Sequence, residues 1–250
     1  PADGGDLQVL ATRSAIEDIT GSSGADPKAL TVGADGNVYV SDDRSDSIIR
    51  LDPTDGSLQQ VVGKSTLKDL PGISSVDLDG GIIAAPDGTL YAASDGSPDA
   101  IFAINPTTGE ASVVASGSPF DDLDVFMTMA PNGDIIVADD HNASTIYRVD
   151  PESGEVTVFL SEAEIEAVVG SNVDLEGGIS FDADGNFYVA DENSDDIFVW
   201  NGYDAETGEI VEVDARHPRV RELFSQQADQ RSEEVSQGLR RAGVDELAVS

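Results

Sequence analysis

Carboxylate side chains stand next to short apolar segments along the whole chain, and this spacing could support metal binding. Six of these acids lie beside the predicted inner strands and are the candidate metal ligands: Asp77, Asp79, Asp139, Asp174, Glu176 and Asp191. Hard cations such as calcium take 6 to 8 oxygen ligands with loose geometry. The pattern therefore predicts a calcium site, or a site for another divalent cation.

The acidity of the chain has a second interpretation. There are 49 acidic residues against 13 basic ones, a net charge of -36, and Lys28, Lys64 and Lys68 are the three lysines. Dense surface carboxylates keep a protein hydrated at high salt, where their mutual repulsion is screened. Because the acids occur in every loop, salt adaptation accounts for most of them, and cation binding remains the hypothesis for the six.

The same charge bears on the class of partner. An acidic surface repels nucleic acid phosphates and anionic membranes. No run of apolar residues approaches the roughly 18 of a membrane span. The sequence therefore predicts neither nucleic acid binding nor membrane insertion.

Candidate catalytic groups are few. The chain has no cysteine and no GxSxG motif, which disfavours nucleophilic catalysis. His141 lies in the loop ADDHN beside Asp139 and Asp140, where nearby carboxylates favour its protonated form. It is the one candidate general acid or base. The segment DADGN (182–186) lacks the spacing of a calcium-binding EF-hand loop, so it predicts a turn.

Internal repeats decide the fold. Turn glycines recur at Gly36, Gly88, Gly133 and Gly185, within ADGNVYV, PDGTLYA, PNGDIIV and ADGNFYV. A second turn follows each: DPTDG, NPTTG, DPESG and DAETG. Each period supplies about four short antiparallel strands, here called a to d from the inner edge outward. Four-stranded units of roughly 40 to 50 residues are typical of β-propeller blades. We therefore predict an all-β propeller with four complete blades and part of a fifth.

The two ends of the chain depart from this pattern. Residues 7–30 parallel residues 58–82, so the chain is expected to begin on a strand d. A narrow apolar stripe predicts a helix over 225–243. We interpret 1–250 as a single propeller domain, either part of a longer protein or completed by a neighbouring molecule.

The C-terminal segment also concentrates positive charge. Six of the 13 basic residues fall within 216–241: Arg216, Arg219, Arg221, Arg231, Arg240 and Arg241. On an acidic protein this segment is a candidate for docking on an acidic surface of the same chain, of another copy or of another protein.

The segments GNVYVSD, GTLYAAS, GDIIVAD and GNFYVAD, each leading to an acidic loop, resemble the repeats of NHL and gluconolactonase-like propellers. The LEG…GNFYVADE pattern is also similar to esterase-like phytase propellers. The resemblance covers most of residues 7–224. It implies a divalent metal over the central channel, held by Glu176, by Asp191 and by Asn193 or Asn142. The lysine- and histidine-rich phosphate site of a phytase is not evident.

Two functions follow as expectations. The first is a secreted, salt-adapted propeller that binds calcium and works as a binding or extracellular assembly module. The alternative is a metal-dependent hydrolase of lactones or esters that uses Glu176 and Asp191.

Overall fold

The computed structural model describes residues 8–123, 126–140, 144–170, 173–175, 178–200, 203–204 and 209–210. The helices are α1 (Arg13–Thr20), α2 (Lys64–Lys68), α3 (Glu162–Val169) and a 3-10 helix (Asp43–Ser45). The strands are β1 (Pro27–Val32), β2 (Val38–Asp42), β3 (Ser47–Leu51), β4 (Leu58–Val62), β5 (Ile82–Ala84), β6 (Leu90–Ser94), β7 (Ala100–Ile104), β8 (Ala111–Ser116), β9 (Met127–Met129), β10 (Ile135–Asp139), β11 (Thr145–Val149), β12 (Val156–Leu160), β13 (Ile179–Phe181), β14 (Phe187–Asp191), β15 (Asp196–Trp200), β16 (Tyr203–Asp204) and β17 (Glu209–Ile210).

The strands form successive antiparallel sheets in chain order. The sheets β1–β4, β5–β8 and β9–β12 are blades 1, 2 and 3, and β13–β15 belong to blade 4. The innermost strands contact each other in sequence, β1 with β5, β5 with β9, and β9 with β13. This arrangement confirms the predicted all-β propeller.

Alternation along the central strands explains why the blades stack. All five residues of β10 are buried. Ile135 and Val137 pack against blade 2, whereas Ile136 and Ala138 pack against blade 4. Because successive side chains of a strand point to opposite faces, a strand between two blades must be apolar at every position.

Two families of connections give the propeller two different faces. The a–b and c–d turns lie at one end of the blades, and we call this end the turn face. The b–c loops and the d–a connections lie at the other end, which we call the loop face. Three d–a connections contain a helix: α1, α2 and α3.

Glycines in the c–d turns fit one blade against the preceding one. A Cβ at Gly109 would lie 2.5 Å from the carbonyl oxygen of Val61 in β4, and a Cβ at Gly154 would lie 2.4 Å from that of Val114 in β8. Both glycines also have positive φ, 73° in each case. No other residue satisfies both demands at low cost.

The first predicted strand is not formed in the described residues. Residues 8–11 are assigned to no strand. The carbonyl of Leu10 nevertheless lies against Gly56, as the carbonyl of Val61 lies against Gly109. The segment therefore has the place of a strand d, but the described part contains no strand c to pair with it.

The predicted helix over 225–243 and most of the fourth strand of blade 4, expected at 210–213, lie outside the described residues. Within the described part, none of the helices combines the length and the apolar character needed to cross a bilayer.

Candidate functional site

The residue that ends strand b is buried and polar in every blade. These residues are Asp42, Ser94, Asp139 and Asp191. Each accepts a hydrogen bond from the backbone N–H of a residue in the preceding d–a connection, at 2.6 to 3.0 Å. The donors, in the same order, are Asp26, Asp77, Asp121 and Asp174. The contact holds the d–a connection onto the blade that it enters.

This contact gives two predicted metal ligands a structural task. Asp191 accepts the N–H of Asp174 at 2.7 Å with one oxygen and that of Ser194 at 3.0 Å with the other. Asp139 accepts the N–H of Asp121 at 2.9 Å. Buried backbone N–H groups need an acceptor, and these carboxylates provide it.

A cluster of three carboxylates lies on the loop face between blades 1 and 2. Oxygen atoms of Asp43, Asp46 and Asp77 all lie within 4.8 Å of one another. Asp43 and Asp46 belong to the b–c loop of blade 1, and Asp77 to the d–a connection that enters blade 2. Among the described residues this is the one group of three or more His, Asp or Glu side chains with such spacing. We call it the Asp43–Asp46–Asp77 cluster.

Asp46 is the buried member of the cluster. It is 4% exposed, has a positive φ of 45°, and precedes β3 directly. One oxygen accepts the backbone N–H of Leu78 at 3.0 Å, and the other accepts a hydrogen bond from Lys64. Asp46 thus connects blade 1 to the chain entering blade 2. The less occupied oxygens of the cluster belong to Asp43 and Asp77.

Positive charge approaches the cluster from two sides. Besides Lys64, Lys28 lies 3.5 Å from Asp43. Asp26, then Asp43 and to a smaller extent Asp79, raise the pKa of Lys28. Two of the three lysines of the chain are thus found here. Four carboxylates, those of the cluster and of Asp79, still outnumber the two ammonium groups.

Asp77 responds most strongly to this environment. Burial raises its pKa to about 6, with added repulsion from Asp79, Asp46 and Asp43 and a hydrogen bond shared with Asp43. Repulsion between neighbouring carboxylates disfavours the charged form of Asp77. A divalent cation would offset that repulsion.

Asp79 is a second half-buried carboxylate, close to the cluster. Its Oδ1 is buried and has no hydrogen bond from any described residue. Burial raises the pKa of Asp79, the charges of Asp43 and Asp122 add to this, and Lys28 opposes it. Between blades 2 and 3, burial likewise raises the pKa of Asp99 and of Asp139. The loop face therefore carries several carboxyl groups that ionise reluctantly.

The predicted ligands do not converge on one point. Asp77 joins the cluster, and Asp79 lies near it. Among the described residues, Asp139, Asp174 and Asp191 belong to no such group. Glu176 and His141 fall outside the described residues, as does Asn142. Their predicted roles stay predictions.

The cluster itself was only partly visible in the sequence. Asp43 and Asp46 are two of the many acidic residues in the predicted loops. One signal could have found Asp46: an aspartate directly precedes strand c in blades 1, 2 and 4, at Asp46, Asp99 and Asp195. Asp195 shares the positive φ, at 58°.

Comparisons with known proteins agree with the fold. Residues 60–178 match a family model described as "Repeat of unknown function (DUF6923)". A search of curated protein sequences gives no match. Many solved structures share the fold.

Three of these structures are a lyase, a calcium-binding protein and a gluconolactonase. Virginiamycin B lyase from Staphylococcus aureus, solved with quinupristin, is 20% identical with a TM-score of 0.53, over 78% of this chain and 58% of the lyase. Regucalcin from Agrobacterium tumefaciens, described as a calcium-binding protein, is 20% identical with a TM-score of 0.50, over 75% and 58%. A gluconolactonase from Xanthomonas campestris is 15% identical with a TM-score of 0.52, over 72% and 59%.

The likeness is one of fold. The chain shares the β-propeller of the lyase, regucalcin and lactonase structures, as the resemblance of its repeats implied. It spans less than two thirds of the length of each of them. At such low identity the shared fold does not transfer an activity.

Proposed function

We propose that this chain is a propeller that binds a divalent cation, preferably calcium, at the Asp43–Asp46–Asp77 cluster, and that it serves as a binding or assembly module. The observation that carries the proposal is the approach of three carboxylates within 4.8 Å across the boundary of two blades. The donors are all oxygens, as calcium prefers, and water can complete the 6 to 8 ligands that it takes.

Each of the three carboxylates would have a distinct part in binding the cation. Asp46 keeps the N–H of Leu78 and contributes from a fixed position. Asp43 and Asp77, whose oxygens lie within 4.8 Å of each other and of Asp46, would supply the other carboxylate ligands. Because Asp43 lies in blade 1 and Asp77 enters blade 2, the cation would tie the two blades together on the loop face.

The setting proposed for this module is outside the cell at high salt. The high-salt part is supported by the net charge of -36 and by the small number of lysines, three in 250 residues. Its proposed partner surface is the Arg-rich segment 216–241, which suits an acidic surface on another copy or another protein. Light scattering in molar salt tests the assembly role. A strict monomer that captures no acidic partner contradicts it.

Calorimetric titration of calcium into the metal-free protein tests the cation site. The expected result is saturable binding that weakens at least about tenfold in Asp77→Asn, through loss of one charged ligand. Asp184→Asn is the matched control, because it removes one charge from an exposed turn on the turn face. Equal calcium affinity in the two variants would mean that calcium is attracted only by the overall negative charge of the surface.

A second candidate function is a metal-dependent hydrolase of lactones or esters. It is favoured by one observation: Asp77, with its pKa raised to about 6, could exchange a proton near neutral pH. Assay of a lactone and ester panel with added calcium or magnesium decides it. Absence of metal-dependent turnover removes this candidate and leaves the binding role unaffected.

A further inference from the structure

A cavity opens on the turn face, at the boundary of blades 1 and 2. Its volume is about 410 Å³, within the range of small-molecule sites. Its walls are the a–b turns of the two blades and the c–d turn of blade 2, and include Asp35, Asp87, Thr89, Asn105 and Thr107. It lies at the opposite end of the blades from the Asp43–Asp46–Asp77 cluster and is independent of it.

Among the four c–d turns, the one that lines this cavity contains no charged residue. The other three c–d turns, DPTDG, DPESG and DAETG, each contain two acidic residues, whereas NPTTG contains none. Position for position, Asn105 stands where the other turns have aspartate. In a chain with a net charge of -36, this turn is distinguished because it lacks the two negative charges that each other c–d turn carries.

The hydrogen bonds within these turns leave one donor group and one acceptor group unused. Asn105 accepts the N–H groups of Thr107 and Thr108 through its Oδ1, at 2.9 and 3.1 Å. Its amide Nδ2 donates no hydrogen bond to any described residue. Asp87 accepts the N–H of Thr89 at 2.9 Å through Oδ1, which leaves Oδ2 as an acceptor. A carboxylate, an amide and two threonine hydroxyls therefore border one space.

The opposite wall is fixed by its own bonds. Asp35 accepts hydrogen bonds from the side chain of Asn37 at 2.6 Å and from the hydroxyl of Tyr39 at 2.8 Å. Gly33 leaves room for the Tyr39 ring, since a Cβ there would lie 2.6 Å from it. These hydrogen bonds occupy Asp35 on one wall, whereas Asn105, Asp87 and the threonines keep polar groups that can bind a ligand.

We propose that this cavity binds a neutral polyhydroxylated ligand, such as a sugar or the end of a sugar chain. Neighbouring hydroxyls of a sugar can donate to a carboxylate and accept from an amide at the same time, and the cavity offers both. The surrounding negative charge repels anions. The amide donors of Asn105 disfavour a cation, because they present positive hydrogen atoms to the cavity.

The repeat provides a variant that alters the ligand groups and preserves the turn. In Asn105→Asp, the carboxylate can accept the same backbone N–H groups, as Asp52 and Asp150 do in their own turns at 2.8 Å. The change removes the amide donor and adds a charge. Asp150→Asn makes the reverse exchange at a turn of the next blade and serves as the control.

Saturation-transfer NMR with glucose, galactose and maltotriose measures the binding. At least one of these sugars is expected to bind the unaltered protein, and Asn105→Asp is expected to weaken it by about tenfold or more. Asp150→Asn should bind as the unaltered protein does, and both variants should keep its melting temperature within a few degrees. The proposal is overturned if none of the three sugars binds, or if the two variants bind equally.

Discussion

At the scale of single residues, the same polar contact is made in four blades by two different side chains. Aspartate ends strand b in blades 1, 3 and 4, and Ser94 does so in blade 2. All four accept an N–H from the d–a connection, which shows that the task is to accept a hydrogen bond and that a charge is not required for it. The natural variation within the chain suggests how to test this.

Asp191→Ala is expected to destabilise the protein by about 1–3 kcal/mol, because the N–H groups of Asp174 and Ser194 lose their acceptor. Asp191→Ser should cost less, since a hydroxyl can still accept from Asp174, as Ser94 accepts from Asp77. Urea unfolding at fixed salt measures both. Equal losses for Ala and Ser would contradict the proposed contact.

Asp77 should make stability depend on pH. Its carboxyl has a pKa of about 6 in the folded protein and 3.8 when unperturbed, so the folded state holds the proton more tightly. The contribution is therefore present below about pH 4 and is lost as the pH rises through about 6. Without divalent cations, Asp77→Asn should raise the melting temperature above pH 6, and the gain should shrink below pH 4.

Asp184→Asn controls for the removal of one negative charge. Melting curves from pH 4 to 7.5 in the presence of a chelator provide the comparison. A gain for Asp77→Asn that is the same at every pH, or no larger than that of Asp184→Asn, would contradict the assignment of the pKa.

At the scale of elements, the blades are held in position by close backbone contacts as well as by their apolar faces. Gly88 and Gly109 both have positive φ, at 94° and 73°. A Cβ at Gly88 would meet open space, whereas one at Gly109 would meet the carbonyl oxygen of Val61 at 2.5 Å. The two positions separate conformational strain from steric conflict.

Gly88→Ala is expected to cost about 1–2 kcal/mol, the penalty of a left-handed backbone for a residue with a Cβ. Gly109→Ala should cost about 1–3 kcal/mol more, because β4 must shift away from the turn. The free energies of unfolding of both variants test this. Similar free energies of unfolding for the two variants would show that β4 can shift away from the turn at little cost.

The turns and strands of the blades could largely be predicted from the sequence. The repeated turn glycines Gly36, Gly88, Gly133 and Gly185 each lie between strands a and b of one blade, as the repeat predicts. The cluster could not be predicted in the same way, because Asp46 and Asp77 are 31 positions apart and meet only when blade 2 stacks on blade 1. Nor could the sequence distinguish Asp191, an acceptor for backbone N–H groups, from a free carboxylate, since its partner Asp174 lies in the preceding d–a connection.

At the scale of the whole molecule, the 49 acidic residues greatly outnumber the 13 basic ones. Repulsion among 36 excess charges opposes the compact state, and salt screens it. The melting temperature should therefore rise with NaCl from about 0.1 M to molar concentrations, with a chelator present to remove calcium. A flat or falling curve would contradict salt adaptation.

The central claim is that a divalent cation binds between blades 1 and 2. The most direct measurement is a crystal structure of the protein with calcium, with anomalous differences collected at long wavelength. The account predicts a peak about 2.3–2.6 Å from oxygens of Asp43 and Asp77, with Asp46 beside it. A fully occupied calcium elsewhere on the loop face, with no peak at Asp43 and Asp77, would contradict it.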